Sequence, residues 1–168
     1  GTTSPNEQLE ITGNLRIPAS TASVGVIKQG SSRFIHSFGT DNFFAGPGAG
    51  NLALTSADSN TGIGWQALTA LTTGDDNTAV GYQALYQHAS GLGNTAVGRF
   101  ALYTQASGVS YNTAVGDRAL VLATGGSNTA LGKFAGDIIT TGTSNTFVGY
   151  EADASANNLT NATAIGAN

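Results

Sequence analysis

The chain has 168 residues, of which 24 are glycine and none is cysteine or methionine, and it carries a net charge of −4 with a pI near 4.8. Charged residues make up only 10% and hydrophobic residues 40%, a pairing that argues against disorder and for one folded domain of ordinary length. The missing cysteine excludes disulfide frameworks, cysteine-ligated zinc and thiol catalysis, and the acidic balance without a basic run gives nucleic-acid binding no electrostatic footprint.

In chain order, Leu9, Ile11, Leu15 and Ile17 alternate around Gly13-Asn14, a strand-turn-strand signal. Val24, Val26, Phe34 and Ile35 suggest further strands. Beyond residue 41 the texture changes and a pentapeptide recurs. Asn60-Thr61-Gly62-Ile63-Gly64 is followed by Asn77-Thr78-Ala79-Val80-Gly81, then by copies from Asn94 to Gly98, Asn112 to Gly116, Asn128 to Gly132 and Asn145 to Gly149. Looser copies end at Gly46 and Gly166, and the closing glycines are 18, 17, 17, 18, 16, 17 and 17 residues apart. A fixed period of this size means one small unit stacked along an axis.

Each apolar stretch spans about five residues between glycines, too short for a stable helix. Thr and Val are β-branched and favour a pleated surface. A two-helix repeat would need about twice the period and fewer glycines. The expected unit is therefore a thin coil of two short strands, such as Asn77–Gly81 and Tyr82–Tyr86, with Ala89-Ser90-Gly91 in the connection. Alternation sets Thr78 and Val80 on one face and Ala79 on the other; Thr and Val are read as the coil interior. The closing glycine fits a tight turn with φ > 0. The repeated Asn is expected to bond backbone at equivalent corners of adjacent coils. In the last coils Gly136 and Asp153 replace the leucine of the second segment.

The fold class is thus all-β, a parallel β-roll or β-solenoid of about eight 17-residue coils over 42–168, rising roughly 38 Å. Residues 1–41 are assigned to an N-terminal β cap or connector, because a solenoid must protect its first open edge. A slab this thin buries little apolar surface and leaves a flank to cover. A second copy of the same chain is the simplest cover, approaching over the small Ala and the Leu of the second segment.

The Asn-Thr-Ala-Val-Gly copies resemble the left-handed parallel β-roll heads of trimeric autotransporter adhesins, the YadA-like family, with a longer coil here. The fuller run Asn77-Thr78-Ala79-Val80-Gly81-Tyr82-Gln83-Ala84-Leu85 is similar to repeats in phage tail-fibre-like and predatory-bacterial fibre proteins, which often end in an endosialidase-type chaperone. The opening Gly1-Thr2-Thr3-Ser4-Pro5 and the segment from Leu9 to Ile17 resemble what precedes such repeats. The resemblance implies a homotrimer, intertwined or side by side, at a cell surface or in a virion fibre, where it serves adhesion or receptor recognition. The chain begins at Gly1 without any Met, and with no chaperone segment it is expected to be a piece of a longer protein.

Reactive groups do not converge in the sequence. His36 and His88 lie far apart and read as turn or packed residues. Asp75-Asp76 lacks the acidic ladder of a calcium loop, and no phosphate-binding loop follows the Gly-rich stretches. No enzyme, metal or cofactor is expected, no apolar run approaches the about 20 residues of a membrane helix, and no signal peptide is evident. Binding is better served by the positions after each closing Gly, which the repeat does not fix: Trp65-Gln66, Tyr82-Gln83, Arg99-Phe100, Asp117-Arg118, Lys133-Phe134 and Tyr150-Glu151. Trp65, Tyr82, Arg99, Phe100, Arg118 and Tyr150 are the candidate contacts for a cell-surface glycan or protein. Asn60, Gly64, Asn77, Gly81, Asn94, Gly98, Asn112, Gly116, Asn128, Gly132, Asn145 and Gly149 are read as scaffold. Three other readings remain: a structural spacer carrying a separate tip domain, an ice-binding rank formed by Thr61, Thr78, Thr95, Thr113, Thr129 and Thr146, and a glycan-cleaving enzyme, disfavoured for want of paired carboxylates.

Overall fold

The computed structural model describes Pro18, residues 25–104 and residues 106–167. Among these residues the secondary structure is all-β, without a helix. An antiparallel hairpin, β1 (Ile27–Gln29) and β2 (Ser32–His36), leads into β3 (Phe43–Ala45). Seven parallel strands follow: β4 (Thr61–Ile63), β5 (Thr78–Val80), β6 (Thr95–Val97), β7 (Thr113–Val115), β8 (Thr129–Leu131), β9 (Thr146–Val148) and β10 (Thr163–Ile165). They form one sheet in chain order. The register is strict, Thr on Thr and Ala on Ala, as in Thr78↔Thr95 and Ala79↔Ala96. The described coils make about seven turns, and β10 opens the next. Seven steps between β3 and β10 rise about 34 Å. The proposed turn at Gly13-Asn14 lies outside the described residues.

β2 pairs antiparallel with β3, so the hairpin occupies the first edge of the parallel stack. His36 ties it down: its Nε2 donates to the Ala49 carbonyl at 2.9 Å, and its ring lies 5.0 Å from that of Phe44.

The asparagine rank is the internal spine. Asn60, Asn77, Asn94, Asn112, Asn128 and Asn145 are all buried. The Oδ1 of Asn60 accepts the backbone N–H of Asn77 at 3.0 Å, and Asn77 does the same for Asn94. The Nδ2 of Asn77 donates to the Gly91 carbonyl at 3.0 Å and to the Oδ1 of Asn60 at 3.0 Å. The expected side-chain-to-backbone ladder is therefore present, and it runs from Asn42 to Ala162. The rank of closing glycines is set by coil spacing. Gly81 has φ +137°, and a Cβ there would lie 2.5 Å from the carbonyl oxygen of Gly98. No side chain fits between coils at that corner.

Two expectations are corrected. First, each coil has one strand, not two. The segment after the glycine is a run of turns because Gln83 and Leu85 adopt the left-handed conformation (φ +53° and +49°), as do Gln66, Leu68, Phe100, Leu102, Arg118 and Leu120. Left-handed non-glycine residues cost about 1 kcal/mol each. Inter-coil bonds offset that cost, such as Leu85 N–H to the Ala101 carbonyl at 3.1 Å and Gln83 N–H to the Trp65 carbonyl at 2.9 Å. Second, the interior is inverted. Ala79, Ala96, Ala114 and Ala130 face the core and are fully buried, while Thr and Val of the same strands face outward. Ala84 and Leu85, expected to meet a second copy, are fully buried inside the coil with their equivalents. A three-residue strand has one inward side chain, and the small interior accepts Ala there because Leu enters from the opposite wall.

The drifting coils obey the same volume rule. Phe44 and Phe147 take the inward strand position in β3 and β9, and both are fully buried. Glycine stands where leucine would collide with them. A Cβ on Gly136 would lie 2.8 Å from both Phe147 Cδ2 and Leu120 Cδ2, and one on Gly50 would lie 2.6 Å from Phe44 Cδ1.

This compensation is testable by a double-mutant cycle in urea unfolding. Phe147→Ala alone should cost about 3–5 kcal/mol, and Gly136→Ala alone about 1–3 kcal/mol from overpacking. The double variant should fall short of the sum by about 1 kcal/mol or more. Gly136 has φ +64°, and the backbone strain of an alanine there is common to both arms of the cycle and cancels, so strict additivity would refute the coupling.

Candidate functional site

Left-handed backbone at the second post-glycine position turns both variable residues of each coil outward and lays them in register along one corner. The candidate contacts therefore form a continuous ridge. Trp65, Tyr82, Arg99 and Tyr150 are exposed, and Phe100 and Arg118 are half-buried. The Trp65 and Tyr82 rings stack at 4.8 Å with an interplanar angle of 12°. That separation matches the coil step, so the ring normals run along the stack and the facing surfaces cover each other. Tyr82 meets Phe100 edge-on at 5.3 Å, and Phe100 meets Tyr103 likewise at 5.3 Å. Tyr103 stacks on Tyr86 at 5.2 Å, and Gln83 Nε2 donates to Gln66 Oε1 at 2.7 Å.

Farther along, charge replaces stacking. Arg99 forms a two-point pair with Asp117, Nε to Oδ1 at 3.0 Å and Nη2 to Oδ2 at 3.2 Å. Arg118 lies over two rings, with Cζ 5.8 Å from the Phe100 centroid and 5.5 Å from that of Phe134. Lys133 Nζ sits 4.7 Å from the Phe134 centroid and 5.9 Å from that of Tyr150. The Tyr150 hydroxyl hydrogen-bonds Glu151, whose carboxylate raises the phenol above its usual range.

A second surface is the sheet itself. Its outward ranks are Thr61, Thr78, Thr95, Thr113, Thr129, Thr146 and Thr163, beside Ile63, Val80, Val97, Val115, Leu131, Val148 and Ile165. Ile63, Val97, Leu131 and Ile165 are exposed. No charged residue interrupts either rank. The threonine rank thus faces solvent, against the expectation that it points inward; it remains a single rank beside an aliphatic one.

Of two shifted groups, His88 is packed, as one of its two sequence readings had it, and Asp153 was missed. His88 replaces, in the interior, the aliphatic residues found at the same place as Leu71 and Ile139. It is fully buried, and neither ring nitrogen has a partner of acceptable hydrogen-bond geometry. Burial lowers it to about 4, an effect that the adjacent Gly91 backbone offsets only in part. Asp153 takes the leucine position of its coil and lies beside Asp137, in a groove also lined by Phe134, Ile138 and Glu151. Burial, then the hydrogen bond and negative charge of Asp137, push Asp153 up to about 7. A carboxylate pair therefore exists where none was expected. Asp75, read as a poor calcium ligand, accepts the Asp58 N–H at 2.9 Å. Among the described residues no helix is long and apolar enough to cross a membrane.

Comparison of the chain with known protein families, with curated proteins and with solved structures finds no match.

The two shifted groups, one buried and one half-buried, impose opposite pH slopes. His88 is lower in the fold than its ordinary 6.5, so its contribution is complete above about 6.5 and is lost as pH falls toward 4. Asp153 is higher in the fold than its ordinary 3.8, so stability is complete below about 4 and is lost as pH rises through 7. His88→Leu should therefore stabilise by about 1 kcal/mol at pH 7, with the gain growing by up to about 3 kcal/mol toward pH 4. Asp153→Asn should stabilise most near pH 7 and least near pH 4. Thermal melts of both variants across pH 4–8 check this, and gains that do not vary with pH would contradict it.

Proposed function

We propose that the chain is a segment of an extracellular homotrimeric fibre, at a cell surface or in a virion, serving adhesion or receptor recognition. The observation that carries this reading is the uncharged Thr and aliphatic face running along the whole stack. Exposed aliphatic side chains repeated along one uncharged face favour an interaction site there. Its side chains repeat at the coil step of about 4.8 Å, so a second coil stack in parallel register presents ranks of matching spacing. A globular partner has no such periodicity. The trimer number and the extracellular setting come from the resemblance to YadA-like and tail-fibre-like repeats. The ridge would then offer aromatic, amide and charged groups to a glycan or protein receptor.

A spacer role is the second reading, and the ridge itself favours it. Trp65 and Tyr82 use their facing surfaces on each other, and Arg99 and Asp117 satisfy each other, which leaves less of that surface for a ligand.

Light scattering of the purified chain should give three times the 16.8 kDa of one chain. Val97→Asp combined with Leu131→Asp should reduce it to the single-chain mass, while Tyr82→Asp should not. A wild-type monomer would contradict the proposal. On a glycan array, binding that is lost in Trp65→Ala would support recognition, and an array without signal would favour the spacer.

A further inference from the structure

Positive charge on the ridge is unevenly answered. Arg99 is neutralised by Asp117 through two bonds. Glu151, the other acidic residue of the ridge, makes no ion pair within 4.0 Å among the described residues and raises the neighbouring Tyr150 phenol. Arg118 and Lys133 lie on successive coils, and among the described residues neither has an ion pair within 4.0 Å. Both are nevertheless held in place. The Arg118 backbone is locked at φ +58° and its N–H donates to the Arg99 carbonyl at 2.9 Å. Its guanidinium is flanked by Phe100 and Phe134, and Lys133 shares the Phe134 ring. Two cations are pinned around one ring, and although that ring also borders the groove of Asp137, Glu151 and Asp153, neither cation pairs with a carboxylate of the described residues, so both keep capacity for an external anion. The guanidinium keeps its donors free for a two-point contact with a carboxylate or sulfate.

The rest of the ridge restricts what carries that anion. Two and three coil steps from Arg118, about 10 and 14 Å, Gln83 and Gln66 form a pair that uses one N–H and one carbonyl on itself. Each side chain keeps further donor or acceptor capacity suited to hydroxyl groups. An extended ligand lying along the ridge would meet neutral hydrogen-bonding groups first and two cations next.

We propose that Arg118 and Lys133 receive the acidic group of an oligosaccharide lying along the ridge, a uronic-acid-type or sulfated chain. This rests on the receptor-recognition reading and gives it a ligand class. The site is built within one chain, from successive coils.

The test is calorimetric titration of the assembled protein with oligogalacturonate, with sulfated dextran and with neutral dextran. Oligogalacturonate or sulfated dextran should bind, and which of the two binds identifies a carboxylate or a sulfate site. Arg118→Gln and Lys133→Gln should each weaken binding about tenfold or more at unchanged melting temperature. Lys28→Gln, which removes a charge from the exposed hairpin, should leave affinity unchanged. Failure of both acidic probes to bind, or an equal loss in Lys28→Gln, would overturn the proposal. Equal binding of a DNA oligonucleotide would also overturn it by exposing general electrostatics. If neutral dextran alone binds, and Trp65→Ala abolishes that binding, the acidic-ligand inference falls and the receptor-recognition reading survives.

Discussion

One buried asparagine per coil is the constraint on which the rest of the structure depends. A coil of about 17 residues has an interior only a few side chains wide, and chain reversal at its corner brings backbone amides and carbonyls inside. Left unpaired, each would cost about 1–3 kcal/mol. The asparagine side chain answers both needs: Oδ1 accepts the next asparagine's N–H, and Nδ2 donates to a carbonyl such as that of Gly91. The same geometry dictates the neighbours. Holding successive corners this close leaves no room for a Cβ at Gly81 or its equivalents, and the narrow interior admits one Ala from the strand and one Leu from the opposite wall. Where Phe147 enlarges the strand's share, Gly136 surrenders the other.

The period, the parallel stacking, the asparagine ladder and the glycine corners were legible in the sequence because stacking demands identical residues at identical phase. The wall opposite the strand was not. Tyr82–Tyr86 looks extended when judged by residue type, and nothing marks Gln83 and Leu85 as left-handed, since neither prefers that conformation alone. Only the inter-coil bonds make it worthwhile. Missing that turn also inverted the interior: alternation correctly separated Thr and Val from Ala but could not say which side faced in. The ridge was legible as the place where the repeat stops repeating. Its internal stacking was not, because ring-to-ring contact between Trp65 and Tyr82 depends on the coil spacing. A packed His88 was among the sequence readings, whereas the raised carboxyl of Asp153 stayed hidden until the rank it occupies was known.

The outcome is a rod with two dissimilar long surfaces. One is a flat, uncharged ladder of Thr and aliphatic side chains whose spacing suits another copy of itself. The other is a corner carrying rings, amides and a few charges, all rooted in backbone fixed by the next coil. Rigid roots matter for recognition, because ordering cost is met in folding and not again at binding. The spine supplies rigidity without dictating what the corner displays, so residues such as Arg118 and Lys133 can vary while the scaffold does not.

Amide hydrogen exchange measured residue by residue tests the central claim most directly. The backbone N–H groups of Asn77, Asn94, Asn112, Asn128 and Asn145, each bonded to the side chain of the preceding asparagine, should exchange together and among the slowest in the chain. They should be as protected as strand amides such as those of Ala79 and Ala96. Rapid exchange at these asparagines, with protection confined to the strands, would show that the spine is not what holds the coils together.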